Sequence, residues 1–131
     1  MPSPPADLPE KQQIKETKII SIYQKCNETW ENNDAAAWLD LLHDDFEFTF
    51  LSRYGVMKKS DMAVEIMANS MQNETVTSRR CIYENDDICV VHQFSEFASG
   101  EKEAIVMVSP KKDGLVWRTE TGATPLKWSF A

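Results

Sequence analysis

The chain has 131 residues and a formal net charge of −7, from 21 acidic and 14 basic residues. A hydrophobic fraction of 42%, with four Trp, six Phe and six Met, suits one domain around one core, and no apolar run approaches the roughly 20 residues of a membrane-crossing helix. The acidic balance repels a phosphate backbone and sets nucleic acid aside as a partner.

Residues 1–12 begin Met1-Pro-Ser-Pro-Pro and lack the basic start and apolar stretch of a secretory signal, so they read as a disordered, proline-stiffened tail. From Gln13 to Glu31, Ile19, Ile22, Tyr23, Cys26 and Trp30 recur mostly at three- and four-residue steps, one face of a helix. Asn32-Asn33-Asp34 breaks it, and Asp34 caps a second helix whose stripe is Ala35, Trp38, Leu39 and Leu42. Phe46, Phe48 and Phe50 then alternate with Glu47 and Thr49, a strand with one apolar face. Val56-Met57 form a short second strand, and Ser60 caps a third helix with Ala63, Ile66 and Met67 inward.

The remainder reads as a meander: Val76 to Glu84, Ile88 to Ala98, Lys102 to Ser109 and Leu115 to Thr121, separated by turn signals at strand-length spacing. Residues 125–131, with Trp128 and Phe130, form a second tail, which leaves 13–124 as the domain. The longest strand has no plain solvent face: Val90, His92, Phe94 and Glu96 lie on one side, Cys89, Val91, Gln93 and Phe97 on the other. Both faces are therefore covered, one by the helices and the outer one by a second subunit, which predicts a homodimer.

Cys26, Cys81 and Cys89 follow no metal or redox spacing, although Cys81 and Cys89 can sit on adjacent strands of one hairpin. Their odd number and the missing signal point to reduced thiols in the cytoplasm or another intracellular soluble compartment. No metal and no cofactor are expected: His43 beside Asp44-Asp45 lacks further ligands, and only four glycines leave no phosphate-binding loop.

Helix, helix, strand, short strand, helix and four antiparallel strands is an order that resembles the nuclear transport factor 2-like superfamily, which includes SnoaL-like and ketosteroid isomerase-like proteins. The run Trp30-Glu-Asn-Asn-Asp-Ala-Ala-Ala-Trp-Leu-Asp-Leu-Leu-His-Asp-Asp-Phe46 and the entry Lys58-Lys-Ser-Asp-Met62 carry the resemblance, which spans Ile14 to Thr124. It implies an α+β, cone-shaped roll: three helices on a strongly curved, mostly antiparallel sheet, in the order α-α-β-β-α-β-β-β-β, with a deep pocket at the open end. Isomerases of this fold place an Asp base where this chain has Phe50, and oxyanion donors near Cys26 and Val106. None of the three matches, so isomerase chemistry is not carried over.

The same alignment turns one face of the long strand toward the cone and makes His92 the candidate acid or base. Glu96 shares its face. The expected lining is Tyr23, Trp30, Ile66, Met67, Val90, Phe94, Val106, Trp117 and Thr119, which suits a small hydrophobic or aromatic ligand. Arg79 and Arg80 point to opposite faces, so that one can meet a carboxylate inside the cone; Arg118 and Glu120 share a face and can pair. The reading is a small-molecule-binding domain with a largely apolar pocket. The alternatives are a cyclase-, isomerase- or dehydratase-like enzyme using His92, and a dimerisation or assembly module.

Overall fold

The computed structural model describes residues 21–52 and 55–126. Both expected tails, apart from Pro125 and Leu126, and the first turns of helix one, with Ile19, fall outside the described residues, as do Trp128 and Phe130.

Helix α1 spans Ile22–Glu31 and is fixed at its start by a reciprocal cap. Gln24 N donates to Ser21 Oγ at 3.1 Å, and Ser21 N donates to Gln24 Oε1 at 3.2 Å. Asn33 ends the segment in a left-handed conformation, φ 52°, which asparagine tolerates better than most residues. Asp34 then caps α2, Ala35–Leu39, accepting from Ala37 N at 3.1 Å. The apolar stripe predicts a longer α2. It stops because Leu42 already belongs to strand β1, Leu42–Phe50, where it aligns with Val116. Pairing into the sheet overrides local helical preference.

Strand β2, Gly55–Lys58, leads into a 3₁₀ turn, Lys59–Asp61, and then α3, Val64–Gln72. The capping residue of α3 is Ala63, which makes no side-chain bond, so the expected role of Ser60 is not observed and Ala63 is exposed. Met67 and Met71 face the core. Four strands complete the chain: β3, Glu74–Glu84; β4, Ile88–Phe97; β5, Lys102–Lys112; β6, Leu115–Pro125. The β5–β6 turn uses Asp113 at φ 55° and Gly114 at φ 76°, the pair of positive φ values that matches a hairpin's twist.

The six strands form one open, curled sheet in the order β2-β1-β6-β5-β4-β3. All neighbours are antiparallel except β1 and β6, which run parallel. The architecture is α+β with the helices on the concave side, as the sequence order implies. Phe46, 1% exposed, anchors a core with Ile22, Trp38, Leu39, Met67, Met71 and Val116. Ile22, Trp38, Met67 and Val116 of that core also line the hollow between the helices and the sheet.

Candidate functional site

Between the helices and the concave sheet lies a hollow of about 650 Å³. Helix α1 contributes Tyr23, Cys26 and Trp30; β1 contributes Phe48 and Phe50; Ile66 and Met67 come from α3. Trp30 meets Trp38 edge to face at 6.2 Å. Ile66 lines the hollow and is 57% exposed, which puts it at the rim.

The phase of β4 decides which side chains enter. Cys89, Val91, Gln93 and Ser95 are buried, whereas Val90, His92 and Phe94 are only half-buried. The hollow takes Cys89, Val91, Gln93 and Phe97. His92, Val90 and Phe94 therefore lie on the outer wall, and so does Val106, aligned with His92 and 40% exposed. This corrects the expected face. Apolar and polar residues alternate on both sides of the strand, so periodicity does not set its phase. Polar partners inside the cone set it instead, since buried polar groups need hydrogen bonds. The His92 ring packs edge to face on Phe94 at 5.1 Å, away from the hollow.

Trp117 is also displaced from the expected lining. Val116 and Thr119 are both buried, so the two residues between them break the alternation. Trp117 lies in an outer groove with Asp44, Glu47 and Lys58, and Arg118 stacks on its ring at 4.0 Å. Arg118 pairs with Glu47 at 3.9 Å, where the sequence suggested Glu120. Thr119 does face the hollow, and its Oγ1 shares a hydrogen bond with Ser109 Oγ at 2.8 Å.

A polar strip crosses this largely apolar wall. Gln93 Nε2 donates to Ser95 Oγ at 3.0 Å, and Ser95 Oγ donates to Glu74 Oε2 at 2.5 Å. Burial raises the Glu74 carboxyl above its ordinary 4.5, and the charge of Glu103 adds to this, while the Ser95 bond and the Arg79 guanidinium oppose it. Gln93 spends its amide on the strip, so its Oε1 is left buried with no partner.

Arg79 reaches the hollow through an irregularity in β3. The register runs Thr77↔Phe94 and then Arg80↔His92, so β3 holds an extra residue there, and Ser78 takes φ 51°. An extra residue of this kind re-aims the following side chain. Arg79 turns inward and Arg80, exposed, turns out. Tyr23 Oη donates to Arg79 O at 3.2 Å, and the guanidinium lies 5.9 Å from the Tyr23 ring. Arg79 Nε is buried with no partner.

The sequence alone misses Glu74, Gln93 and Ser95. Two polar residues in phase with Cys89, Val91 and Phe97 were the available signal, since a strand face mixing both kinds suits a polar wall.

Cysteines separated by seven residues meet across the β3–β4 pair, where Cys81 Sγ, Cys89 Sγ and a Glu84 oxygen lie within 4.8 Å of one another, a group that could hold a metal ion. Glu84 Oε2 already accepts from Lys111 Nζ at 2.7 Å and from Ile22 N at 3.0 Å. Burial pushes the Cys89 thiol up to about 12 and the Cys26 thiol to about 11, so a metal would have to displace protons as well as Lys111. His43 is held by Asp45 N, which donates to Nδ1 at 3.0 Å, so Nε2–H donates to Asp113 at 3.2 Å. Glu96 faces Lys102 at 4.0 Å on the surface.

No family model and no curated protein matches this chain. Solved structures do. An NTF2-like protein of unknown function from Cytophaga hutchinsonii superposes with a TM-score of 0.65 at 11% identity, over 82% of this chain and 94% of that one. An NTF-2-like protein of unknown function from Burkholderia xenovorans gives 0.61 at 13% identity, over 82% and 86%. A protein with a ketosteroid isomerase-like fold from Catenulispora acidiphila, in complex with trimethylamine, gives 0.54 at 10% identity, over 77% and 83%. The fold is the nuclear transport factor 2-like cone.

Proposed function

We propose that this cone is a receptor for a small organic molecule with a largely apolar body and a polar group. The observation that carries the reading is a hollow of about 650 Å³ whose aromatic and aliphatic wall is interrupted by a few hydrogen-bonded polar groups, the Gln93–Ser95–Glu74 strip first among them. That volume is in the range of drug-sized ligand sites, roughly 300–1,000 Å³, and the mixture of apolar lining and few polar groups is their usual chemistry. The Catenulispora protein, of the same fold, was solved with a small molecule. Catalysis centred on His92 is not retained, because that ring faces outward and shares no space with a ligand in the cone.

Ligand binding to the folded state alone raises the melting temperature; at 100 times Kd the gain is about 2.7 kcal/mol. A thermal-shift screen with apolar acids, amides, amines and ketones should give hits that vanish in Ala123→Trp, which fills the hollow from β6. A flat screen, or hits unaffected by Ala123→Trp, removes the reading. For the outer face, carrying Val90, His92, Phe94 and Val106, we propose a second copy of the chain as its cover.

A further inference from the structure

We propose that Arg79 anchors the ligand of the hollow and that this ligand carries a carboxylate on its apolar body. The inference rests on the hollow being a ligand site and names the chemistry that the site selects.

Three observations converge on Arg79. Its position is built: Ser78 adopts φ 51° and the ladder skips a residue, and together these turn Arg79 inward instead of Arg80. A non-glycine residue in that region is costly and persists where the surroundings enforce it, which happens most often at ligand sites. No carboxylate lies within ion-pair distance of Arg79 among the described residues. Its Nε–H is buried with no acceptor. A guanidinium keeps its proton, and although the half-buried Arg79 lies near the Tyr23 ring, its Nε–H is left for an acceptor brought by a ligand.

Glu74 does not play that part. No ion pair joins it to Arg79, and its Oε2 already accepts the Ser95 proton. Among the described residues that line the hollow, which include the acids Glu74 and Glu103, Arg79 is the one cation. A planar fork of N–H donors matches a carboxylate with two parallel hydrogen bonds. Gln93 Oε1 refines the selection. Reversing this amide would face its oxygen toward Ser95 Oγ, whose proton is already given to Glu74, so the network fixes Oε1 as an unfilled acceptor. The register places Gln93 beside the irregular stretch that carries Arg79. A hydroxyl next to the ligand carboxylate would donate to it.

The test is isothermal titration calorimetry with 4-phenylbutanoate, 2-hydroxy-4-phenylbutanoate, 4-phenylbutanamide and 4-phenylbutylamine. The wild type should bind the acids about 10- to 100-fold more tightly than the amide or the amine, with the hydroxy acid tightest. Arg79→Gln should erase the preference for acids while the protein without ligand still melts in one cooperative transition. Arg79→Lys keeps the charge but loses the fork, so acid affinity should fall while acids still bind better than the amide. An amide bound as tightly as the acids, an amine bound more tightly, or acid affinity unchanged in both variants overturns the anchor and leaves the hollow as a site. No binding by any of the four overturns the anchor; hits elsewhere in the broad screen would then keep the hollow, and a flat screen would remove both.

Discussion

At the scale of single residues, the interior of the cone is governed by charges withdrawn from water. Glu74 is the clearest case. Burial raises its carboxyl above 4.5, with the Ser95 bond and Arg79 opposing. The folded state therefore holds the proton more tightly than the unfolded chain, and stability falls as pH rises from the ordinary value through the raised one. Below that window both states are protonated and the group contributes no pH dependence. Glu74→Gln keeps an acceptor for Ser95 and cannot ionise. Its melting temperature relative to wild type should climb as pH rises from the ordinary carboxylate value through the raised one. Thermal melts across that range check the trend; a constant difference would mean that Glu74 is solvated and that the polar strip is not a desolvated wall. His92 teaches the opposite lesson. The sequence shows an isolated imidazole among apolar neighbours, but the residue that fixes its direction is Gln93, whose amide is bonded inside.

Among the elements, β3 and β4 do the most to shape the site, and their coupling was only partly readable. Turn residues at Asn85-Asp86-Asp87 mark the hairpin, and the structure pairs the two strands as expected. Nothing in Thr77-Ser78-Arg79-Arg80 announces that Ser78 takes a left-handed conformation, because that choice comes from fitting the strand to its neighbour. The shortening of α2 has the same origin: Leu42 is as good a helix residue as Leu39, and only its partner Val116 draws it into the sheet. One cross-strand contact gives a direct test of how these elements are held. Lys111 on β5 and Glu84 on β3 pair at 2.7 Å with side chains 9% and 13% exposed, and Glu84 also receives the first N–H of α1. Removing one member of a buried pair strands the other charge and costs about 3–5 kcal/mol, while removing both can be neutral. Lys111→Met should lower the urea midpoint by an amount in that range at unchanged slope, and Lys111→Met with Glu84→Gln should regain most of it. A single variant within error of wild type would show that the pair is solvated and that α1 is docked on the sheet by packing alone.

The whole molecule is a wall with two faces. Its concave side is closed by the chain's own helices. Its convex side presents Val90, His92 and Phe94 on β4 in line with Val106 and Val108 on β5, and Tyr83, 56% exposed, on β3. The element order was legible because turn chemistry and alternation are local signals, while the curl of the sheet was implied only by the family resemblance. The cover of the convex side was not, since a strand that buries both faces has the same sequence whichever partner does the burying. A second copy meets the requirement with a self-complementary patch, and a stable contact of this kind buries about 1,600 Å² in total. Light scattering after gel filtration should then give the mass of two chains. Val106→Glu places a carboxylate opposite His92, at the middle of the patch, and should shift the protein toward one chain without altering ligand affinity in the hollow, because Val106 is not among its lining. A wild-type protein that stays single at high concentration would assign the apolar convex face to another partner. A Val106→Glu variant that dimerises normally would move the interface to a different surface. Loss of ligand binding on dissociation would instead mean that the two faces of the sheet are coupled through the irregular stretch of β3, where Arg80 and His92 align on the convex side while Arg79 turns to the concave one.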